Sequence, residues 1–263
     1  MAIPEVTLTH LNRADGSATY THNGYSIIGA VNGPVEVQRR DEQPEEATIE
    51  VNVRPAFGVG SPRERHLETL VHNTLSSIIL TRLIPRTLVQ LTLQIRNLPE
   101  EEDATGVNSS LTLLPHLLHT ALLALLSASI PLRTTLTAIL IALPRSASRT
   151  TPASPLISPT AHELLRAKPL QSVHVFAFSG SGSRKMILNE SDGAFSYEEW
   201  SEACEVAENV CCGEEEEGGV RLGVGEGQGE GMDVEGVSEG LEGWLRGVAR
   251  RKVEGEQRWK SAT

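Results

Sequence analysis

Short runs of alternating apolar and polar residues dominate the first hundred positions of the chain. Alternation with a period of two is typical of a strand with one buried face. Three such runs, residues 25–31, 35–39 and 47–54, are joined by Gly33-Pro34 and by the acidic residues 41–46, which are typical turn sequences. We therefore expect three short strands in this region.

A change of period marks the first helix. Ser61 and Pro62 form a helix start, and the apolar residues that follow recur at spacings of three and four. The pattern predicts a packed helix that ends near Ile84-Pro85. Alternation returns over residues 86–96, which predicts a strand, and we expect the acidic residues 99–103 to form a loop after it.

The most apolar stretch covers residues 111–132. It contains Pro115, His116 and His119 together with Ser and Thr, which are costly in a lone membrane span. We therefore expect a buried core helix and no membrane association. The β-branched apolar run at 134–143 predicts a strand buried on both faces. Strands, helix, strand, helix and strand in this order indicate an α/β fold.

The second half follows a stretch rich in Ser, Pro and Thr, residues 144–159, which we expect to be an exposed loop. Residues 172–179 and 185–188 predict a hairpin, and 196–212 has the spacing of a surface helix. The Gly-Ser-Gly-Ser-Arg-Lys run at 180–185 superficially resembles a phosphate loop, which requires a helix after the turn and GxxxxGK[ST] spacing. Because a strand follows, a hairpin turn is favoured.

Residues 213–240 contain 10 glycines and nine acidic residues. Such a segment has too little apolar surface to repay the entropy of ordering, so we expect disorder. Its alternating glycines at 223–231 lack dinucleotide-binding spacing and indicate a linker. Residues 241–263 are basic and predict a C-terminal helix over 241–260, which Trp244, Leu245 and Val248 could dock onto the body of the protein.

The formal net charge of −11 makes the chain as a whole unsuited to gathering a polyanion, because affinity for RNA backbones depends on Lys and Arg. Any RNA contact should therefore be local. The three cysteines, Cys204, Cys211 and Cys212, have no partners among the first 203 residues, which favours a reducing compartment. The N-terminal sequence lacks the features of a secretory signal or a transit peptide.

Candidate chemistry is sparse. The pairs His116/His119 and His66/His72 lack acidic or Cys ligands at metal spacing, and the cysteines form no CxxC pair. Ser17 and Ser61 have no nucleophile-elbow context. We expect no catalytic residue, no cofactor and no metal site.

Seven short fragments are informative through their order and spacing. They are residues 13–17 (RADGS), 31–36 (VNGPVE), 53–55 (VRP), 61–65 (SPRER), 85–87 (PRT), 128–133 (ASIPLR) and 157–160 (ISPT) with Glu163. Together they resemble the RNase PH-like family over about residues 10–212. Ser158 stands where the family's "DPT..E" strand has an acid.

The resemblance implies an α/β (α+β two-layer) RNase PH-like fold, with mixed β-sheets backed by helices in two ribosomal protein S5 domain 2-like halves. We expect an RNase PH-like domain at 1–212, with halves at about 1–143 and 156–212. An acidic Gly-rich disordered insert at 213–240 and a C-terminal basic helix at 241–263 would follow.

Within the family, the chain is most similar to the non-catalytic ring subunits of the eukaryotic RNA exosome. That likeness implies five other RNase PH-like partners in a hetero-hexameric ring, S1/KH cap subunits, an associated catalytic nuclease and RNA in the central channel. It also implies residence in the nucleus and nucleolus and in the cytoplasm, with a function in rRNA maturation, RNA surveillance and mRNA turnover.

Two absences favour an inactive member. The family's phosphorolytic cleavage requires an arginine that holds phosphate and an acid that transfers a proton. Residues 97–132, where the resemblance places the arginine, contain no Lys or Arg. Residues 104–162, where it places the acids, contain no Asp or Glu.

Arg63, Arg65 and Arg86 correspond to channel or subunit-facing regions of the family, and they could contact RNA phosphates without reading bases. Ion pairs at subunit interfaces are an equally good interpretation. One rival function is a homodimeric, phosphate-dependent 3′-to-5′ exoribonuclease. A second is a stand-alone binding module whose acidic insert recruits a basic partner.

Overall fold

Two β-sheets organise the computed structural model, which describes residues 3–145, 154–180, 182–213 and 240–257. The strands of the first sheet are β1 (Glu5–Leu8), β2 (Gly16–His22), β3 (Tyr25–Glu36), β4 (Thr48–Arg54) and β5 (Thr87–Asn97). Their order is β1-β2-β3-β5-β4, with β4 parallel to β5 and the other pairs antiparallel. The second sheet is antiparallel and contains β6 (Leu136–Pro144), β7 (Leu156–Ile157), β8 (Leu170–Ser179) and β9 (Met186–Gly193) in the order β7-β6-β8-β9.

The helices are α1 (Pro62–Ile78), α2 (Glu102–Thr105), α3 (Ser109–Ser127), α4 (Ala161–Arg166), α5 (Tyr197–Cys212) and α6 (Leu241–Glu256). Three of them begin with a capping box, in which a hydroxyl side chain and a glutamate three residues later satisfy the first free N–H groups. The pairs are Ser61/Glu64, Thr160/Glu163 and Ser196/Glu199. The helix start predicted at Ser61-Pro62 is confirmed.

The helix α3 forms the centre of the core. It packs against β2 and β3 of the first sheet and against β6 of the second, so its side chains are buried on all sides from Ser110 to Leu125. Among the described residues α3 alone is long and apolar enough to cross a membrane, and nearly all of it is buried inside the protein. The predicted buried core helix is confirmed.

The strand β6 is buried on both faces, as its sequence predicts. Leu136, Ala138, Leu140 and Ala142 join the main core beside α3, whereas Ile139 and Ile141 face α5 on the opposite side. The strand therefore connects two apolar layers. The C-terminal helix α6 joins the main core through Leu245 and Val248, with Trp244 partly buried against it, as predicted.

The predicted turn at Gly33-Pro34 is wrong. Both residues lie inside β3, which continues to Glu36 and pairs with β5 through a bulge between Asn32 and Val35. The bulge explains the turn-like sequence, because Gly33 has a φ of +154° and a Cβ there would lie 2.9 Å from the Leu88 carbonyl oxygen. Of the strand predicted over 35–39, Val35 and Glu36 form the end of β3, and residues 37–39 lie outside any strand.

Other boundaries also differ from the prediction. The strands β1 and β2 were not predicted, although β2 is central to the packing of α3. The first helix ends at Ile78, and a short 3-10 helix (Thr81–Leu83) fills the remaining distance to the next strand. The acidic loop at 99–103 runs into α2.

The strand β6 pairs with β8, so residues 136–144 belong to the second sheet. The structure thus attaches the end of the first predicted half, at about 143, to the second. The expected loop at 144–159 contains β7 in its described part, and residues 146–153 lie outside the described residues. The expected disorder at 213–240 also falls outside them, except for Gly213 and Gly240 at its two ends. The domain division stays a prediction.

Two glycines should respond oppositely to substitution by alanine. A Cβ on Gly16 would lie 2.6 Å from the Ala124 carbonyl oxygen and would clash with the Ala128 backbone, whereas a Cβ on Gly247 would meet nothing within 4 Å. Gly16→Ala should therefore lower the free energy of unfolding by about 2 kcal/mol or more. Gly247→Ala should raise it by about 1 kcal/mol, because alanine favours the helix.

Urea unfolding of the two variants beside the unchanged protein measures both effects. Equal midpoints for all three proteins would contradict the close packing of β2 on the end of α3.

Candidate functional site

The first turn of α1 carries two of the three arginines predicted from sequence. The capping box at Ser61 fixes the start of the helix, with the Ser61 N–H donating to Glu64 Oε2 at 2.7 Å. This places Arg63 and Arg65 on the first turn, directly after a loop in which Phe57 is 89% exposed and Val59 is 93% exposed. The loop follows the end of β4, so this surface lies at one end of the first sheet.

Arg63 is half-buried, with 34% of its side chain exposed, and its guanidinium faces a buried acid. Its guanidinium Nη2 lies 3.8 Å from Oε1 of Glu102, a buried carboxylate that also accepts a hydrogen bond from Thr112 Oγ1 at 3.0 Å. Burial, followed by the charge of Glu102, raises the pKa of the neighbouring Tyr25. Arg63 therefore neutralises a buried acid at the start of α2, and this pairing leaves less of its charge available to a ligand.

Arg65 is accessible. Its side chain is 81% exposed, and its Nη1 lies 3.0 Å from Oε2 of Glu68. The other oxygen of Glu68 accepts a hydrogen bond from the Val53 N–H at 2.9 Å, which satisfies a backbone group on the edge strand β4. Because Glu68 is anchored to β4, the position of Arg65 at the surface is defined.

Arg86 lies at the opposite end of the first sheet. It precedes β5 and has a φ of +60°. Its Nε lies 3.6 Å from Oε1 of Glu42. The parallel register pairs Leu88 with Thr48 and Gln94 with Arg54, so the sheet separates Arg86 from the start of α1 by roughly 20 Å along the strands. The structure brings Arg63 and Arg65 together and leaves Arg86 apart.

A groove of about 360 Å³ lies beside the connection from α2 to α3, where the family resemblance implies the phosphate site. Gly106 in this connection has a φ of +68°, and Asn108 caps α3 by accepting a hydrogen bond from the Ser110 N–H at 3.1 Å. Lys168, from the segment between α4 and β8, lines the groove and donates to the Ala104 carbonyl oxygen. Asp192 of β9 also lines it. The fold thus supplies one cation and one acid from outside the two sequence windows that lack them.

Sequence reasoning missed Lys168 and Asp192 because each is distant in sequence from the start of α3. No local motif marks either residue, and their relation to the groove depends on how β8 and β9 pack. A prediction of the long-range strand pairing would have been the signal needed to find them.

Three buried histidines line a second, smaller cavity between α3, β2 and β6. Its volume is about 20 Å³, which is enough for one water molecule, and His22, His116 and His119 line it. The Ala138 N–H donates to His119 Nε2 at 3.0 Å, so the proton of that ring is on Nδ1, which is 3.3 Å from the Tyr20 hydroxyl. His116 stacks on Tyr25 with ring centroids 4.6 Å apart, and its Nδ1 is buried without a hydrogen-bond partner.

These histidines are core residues. Burial, reinforced by His22, lowers the pKa of His119 to about 3, and burial lowers the pKa of His116 well below its ordinary value. Within the described part of the chain, no group of three or more His, Cys, Asp or Glu side chains is arranged to hold a metal ion.

Comparisons with known proteins give concordant results. Residues 4–131 match the family model described as 3′ exoribonuclease family, domain 1 (RNase_PH). The chain is similar to exosome complex component RRP46 of Saccharomyces cerevisiae, with 32% identity over 205 residues that cover 76% of this chain and 86% of the relative. It is also similar to exosome complex component rrp46 of Schizosaccharomyces pombe, with 37% identity over 123 residues that cover 47% of this chain and 50% of the relative.

A solved structure agrees with these matches. The crystal structure of rice (Oryza sativa) Rrp46 superposes on this chain with a TM-score of 0.65 and 27% sequence identity. The superposition covers 77% of this chain and 85% of the rice chain. The α/β architecture of two sheets and their helices is therefore that of RNase PH-like proteins.

The histidine cluster predicts a specific dependence of stability on pH. The unfolded chain binds protons at His116 and His119 below about pH 6.5, whereas burial lowers the pKa of both in the folded chain and keeps them neutral. The free energy of unfolding therefore falls as pH decreases from 6.5. His116→Phe preserves the stacking on Tyr25 and removes one ionisable group. The free energy of unfolding of this variant should therefore fall by about 2 kcal/mol less between pH 6.5 and pH 5 than that of the unchanged protein.

Urea unfolding at pH 7 and pH 5 measures this difference, with His162→Gln at an exposed position as the control. A pH dependence in His116→Phe as steep as that of the control would contradict a neutral, buried His116.

Proposed function

The chain belongs to the RNase PH family of 3′ exoribonucleases, and we propose that within this family it is a non-catalytic subunit of the core ring of the RNA exosome. The observation that carries the proposal is the match to the yeast exosome component RRP46 over 86% of that relative's length. In this role the chain supports 3′-to-5′ RNA processing and degradation by helping to form the channel through which RNA passes.

The proposed assembly contains five other RNase PH-like subunits in a hetero-hexameric ring. S1/KH proteins cap the ring, and an associated nuclease cleaves the RNA that the ring delivers. This assembly would work in the nucleus and nucleolus, in rRNA maturation and RNA surveillance, and in the cytoplasm, in mRNA turnover. Support for it comes from the relatives' names as exosome components and from the superposition on rice Rrp46.

The lack of catalysis is supported by the side chains around α3. Residues 97–132 contribute no Lys or Arg, and residues 104–162 contribute no Asp or Glu. The cation that the fold does bring to the α2–α3 connection, Lys168, already donates to a backbone carbonyl. A lysine presents a point charge, whereas an arginine can hold phosphate through two parallel hydrogen bonds.

One observation favours the rival function of a homodimeric phosphate-dependent exoribonuclease. Lys168 and Asp192 line the same groove, so a cation and an acid are both present near the place where the family resemblance implies phosphate. In the rival function Lys168 would attract phosphate and Asp192 would transfer a proton. The two functions make opposite predictions for the isolated protein.

The isolated chain should release no nucleoside diphosphates from labelled single-stranded RNA in the presence of inorganic phosphate. The physical reason is that residues 97–132, where the family resemblance implies the arginine that holds phosphate, contain no Lys or Arg. Thin-layer chromatography of the products, with and without phosphate, measures this. Phosphate-dependent release that disappears in both Lys168→Ala and Asp192→Asn would refute the proposal and establish the rival.

Charge reversal should distinguish the two arginines of α1. Arg65→Glu adds only a surface repulsion with Glu68, so the fold and the assembly should survive while RNA binding by the reconstituted ring falls several-fold. Arg63→Glu places a second carboxylate against buried Glu102 and should cost about 3 kcal/mol of stability.

The measurements are RNase protection by the assembled ring and thermal unfolding of each isolated variant. Arg40→Glu is the matched control, because Arg40 is 86% exposed and also pairs with a neighbouring acid. RNA protection by the Arg65→Glu ring equal to that of the control ring would contradict a contact between Arg65 and RNA.

A further inference from the structure

A groove of about 600 Å³ lies between the C-terminal half of α1 and the hairpin of β8 and β9, and none of Arg63, Arg65 and Arg86 lines it. The segment between α3 and β6 also lines it, through Arg133 and Thr134. Six of its polar lining residues carry the argument: Asn73, Ser77, Arg133, Thr134, Ser183 and Lys185. We call this surface the Arg133–Lys185 groove.

Two cations of this groove are available to a ligand. Arg133 and Lys185 are exposed, and neither forms an ion pair with a carboxylate in the described ranges. No Asp or Glu of those ranges lines the groove. By contrast, Arg63, Arg65 and Arg86 each face a glutamate within 4 Å, at 3.8, 3.0 and 3.6 Å.

The backbone holds both cations in defined positions. The Arg133 N–H donates to the Ile78 carbonyl oxygen at 2.7 Å, and Leu132 forms a bridge with Ile79, which ties this segment to the end of α1. The Lys185 carbonyl oxygen accepts from the Ser179 N–H at 2.8 Å, which closes the hairpin. The two charges therefore project from anchored segments of two different elements.

Neutral donors accompany the cations. The side chains of Asn73 and Ser183 donate no hydrogen bond to the described residues, whereas Ser77 and Thr134 donate to backbone carbonyls at 2.7 and 3.2 Å. Arg, Lys, Ser and Asn are the side chains that bind phosphate and sugar oxygens in nucleic-acid complexes. Met186, which is 43% exposed, lines the same groove and provides an apolar surface beside these donors.

From this arrangement we propose that the Arg133–Lys185 groove binds the phosphate backbone of single-stranded RNA. The choice of RNA over another polyanion rests on the proposed function, in which RNA is the molecule that the assembly handles. Binding is independent of base sequence, because the available side chains are phosphate and sugar ligands on an open surface. It is local, since the net charge of the whole chain is −11.

The test is RNA binding by the full-length isolated chain, measured by fluorescence anisotropy of a labelled single-stranded oligonucleotide over a series of salt concentrations. The variant is Arg133→Glu/Lys185→Glu. The matched control is Arg39→Glu/Arg251→Glu, which makes the same change in net charge at two exposed cations that form no ion pair in the described residues.

Loss of two phosphate contacts should reduce the slope of log affinity against log salt by about 1.4 for a single strand. Counterion release at 0.1 M salt then corresponds to an affinity loss of about 25-fold. The control should lose much less affinity and should keep the slope of the unchanged protein. Thermal unfolding should be unaffected in both, because neither the Arg133 nor the Lys185 side chain forms an ion pair with a carboxylate of the described residues.

Equal affinity and slope in the groove variant and the control would overturn the proposal. An unchanged protein that binds no RNA would also overturn it, although membership of the ring, tested by co-purification, would stand. If the variant binds RNA normally but no longer enters the complex, the groove contacts an acidic segment of a partner protein instead.

Discussion

The position of α3 between two sheets means that polar groups along the helix need hydrogen-bond partners within the protein. Its neighbours are the strands β2, β3 and β6, and water does not reach most of its length. Thr112 therefore binds Glu102, His119 binds Tyr20 and the Ala138 N–H, and Thr120 donates to the His116 carbonyl oxygen. An unsatisfied polar group in such a place costs about 1–3 kcal/mol. Of these contacts, those of His119 join β2 of the first sheet to β6 of the second through α3.

The burial of polar groups beside α3 also affects which arginines are available to bind a ligand. Glu102 is held inside the protein by Thr112, and Arg63 neutralises it, so an arginine at the start of α1 is paired with a buried acid. Arg65, two residues later, stays at the surface. The surroundings of Arg133 and Lys185 also arise from tertiary structure, because the hairpin and the end of α1 meet in a groove that no Asp or Glu of the described ranges lines. A chain of strongly negative net charge can thus offer local positive surfaces.

Much of the fold could be predicted from the sequence where periodicity and end signals coincide. The start of α1 follows from Ser61 and Pro62, and β6 follows from an uninterrupted apolar run. The strands β1 and β2 could not be predicted because their residues are mostly small or polar, and their burial depends on the helix that covers them. Gly33-Pro34 misled the prediction because a bulge and a turn use the same residues.

For the candidate sites, too, the sequence predicts some features and not others. The three arginines could be found from the fragments that resemble the family. Their ion pairs could not, because only the folded structure shows which glutamate lies beside each arginine. Lys168 and Asp192 belong to segments that strand pairing alone brings to the α2–α3 connection. Local sequence therefore indicates element types and ends, whereas the assembly of charges requires the topology.

Membership of the exosome ring is the central claim, and the composition of the native complex tests it most directly. The tagged protein would be purified from its own cells at moderate salt, its native mass determined, and the co-purifying chains identified and quantified by mass spectrometry. The account predicts five RNase PH-like proteins and three S1 or KH proteins in equal amounts. Recovery of a homodimer alone would contradict it.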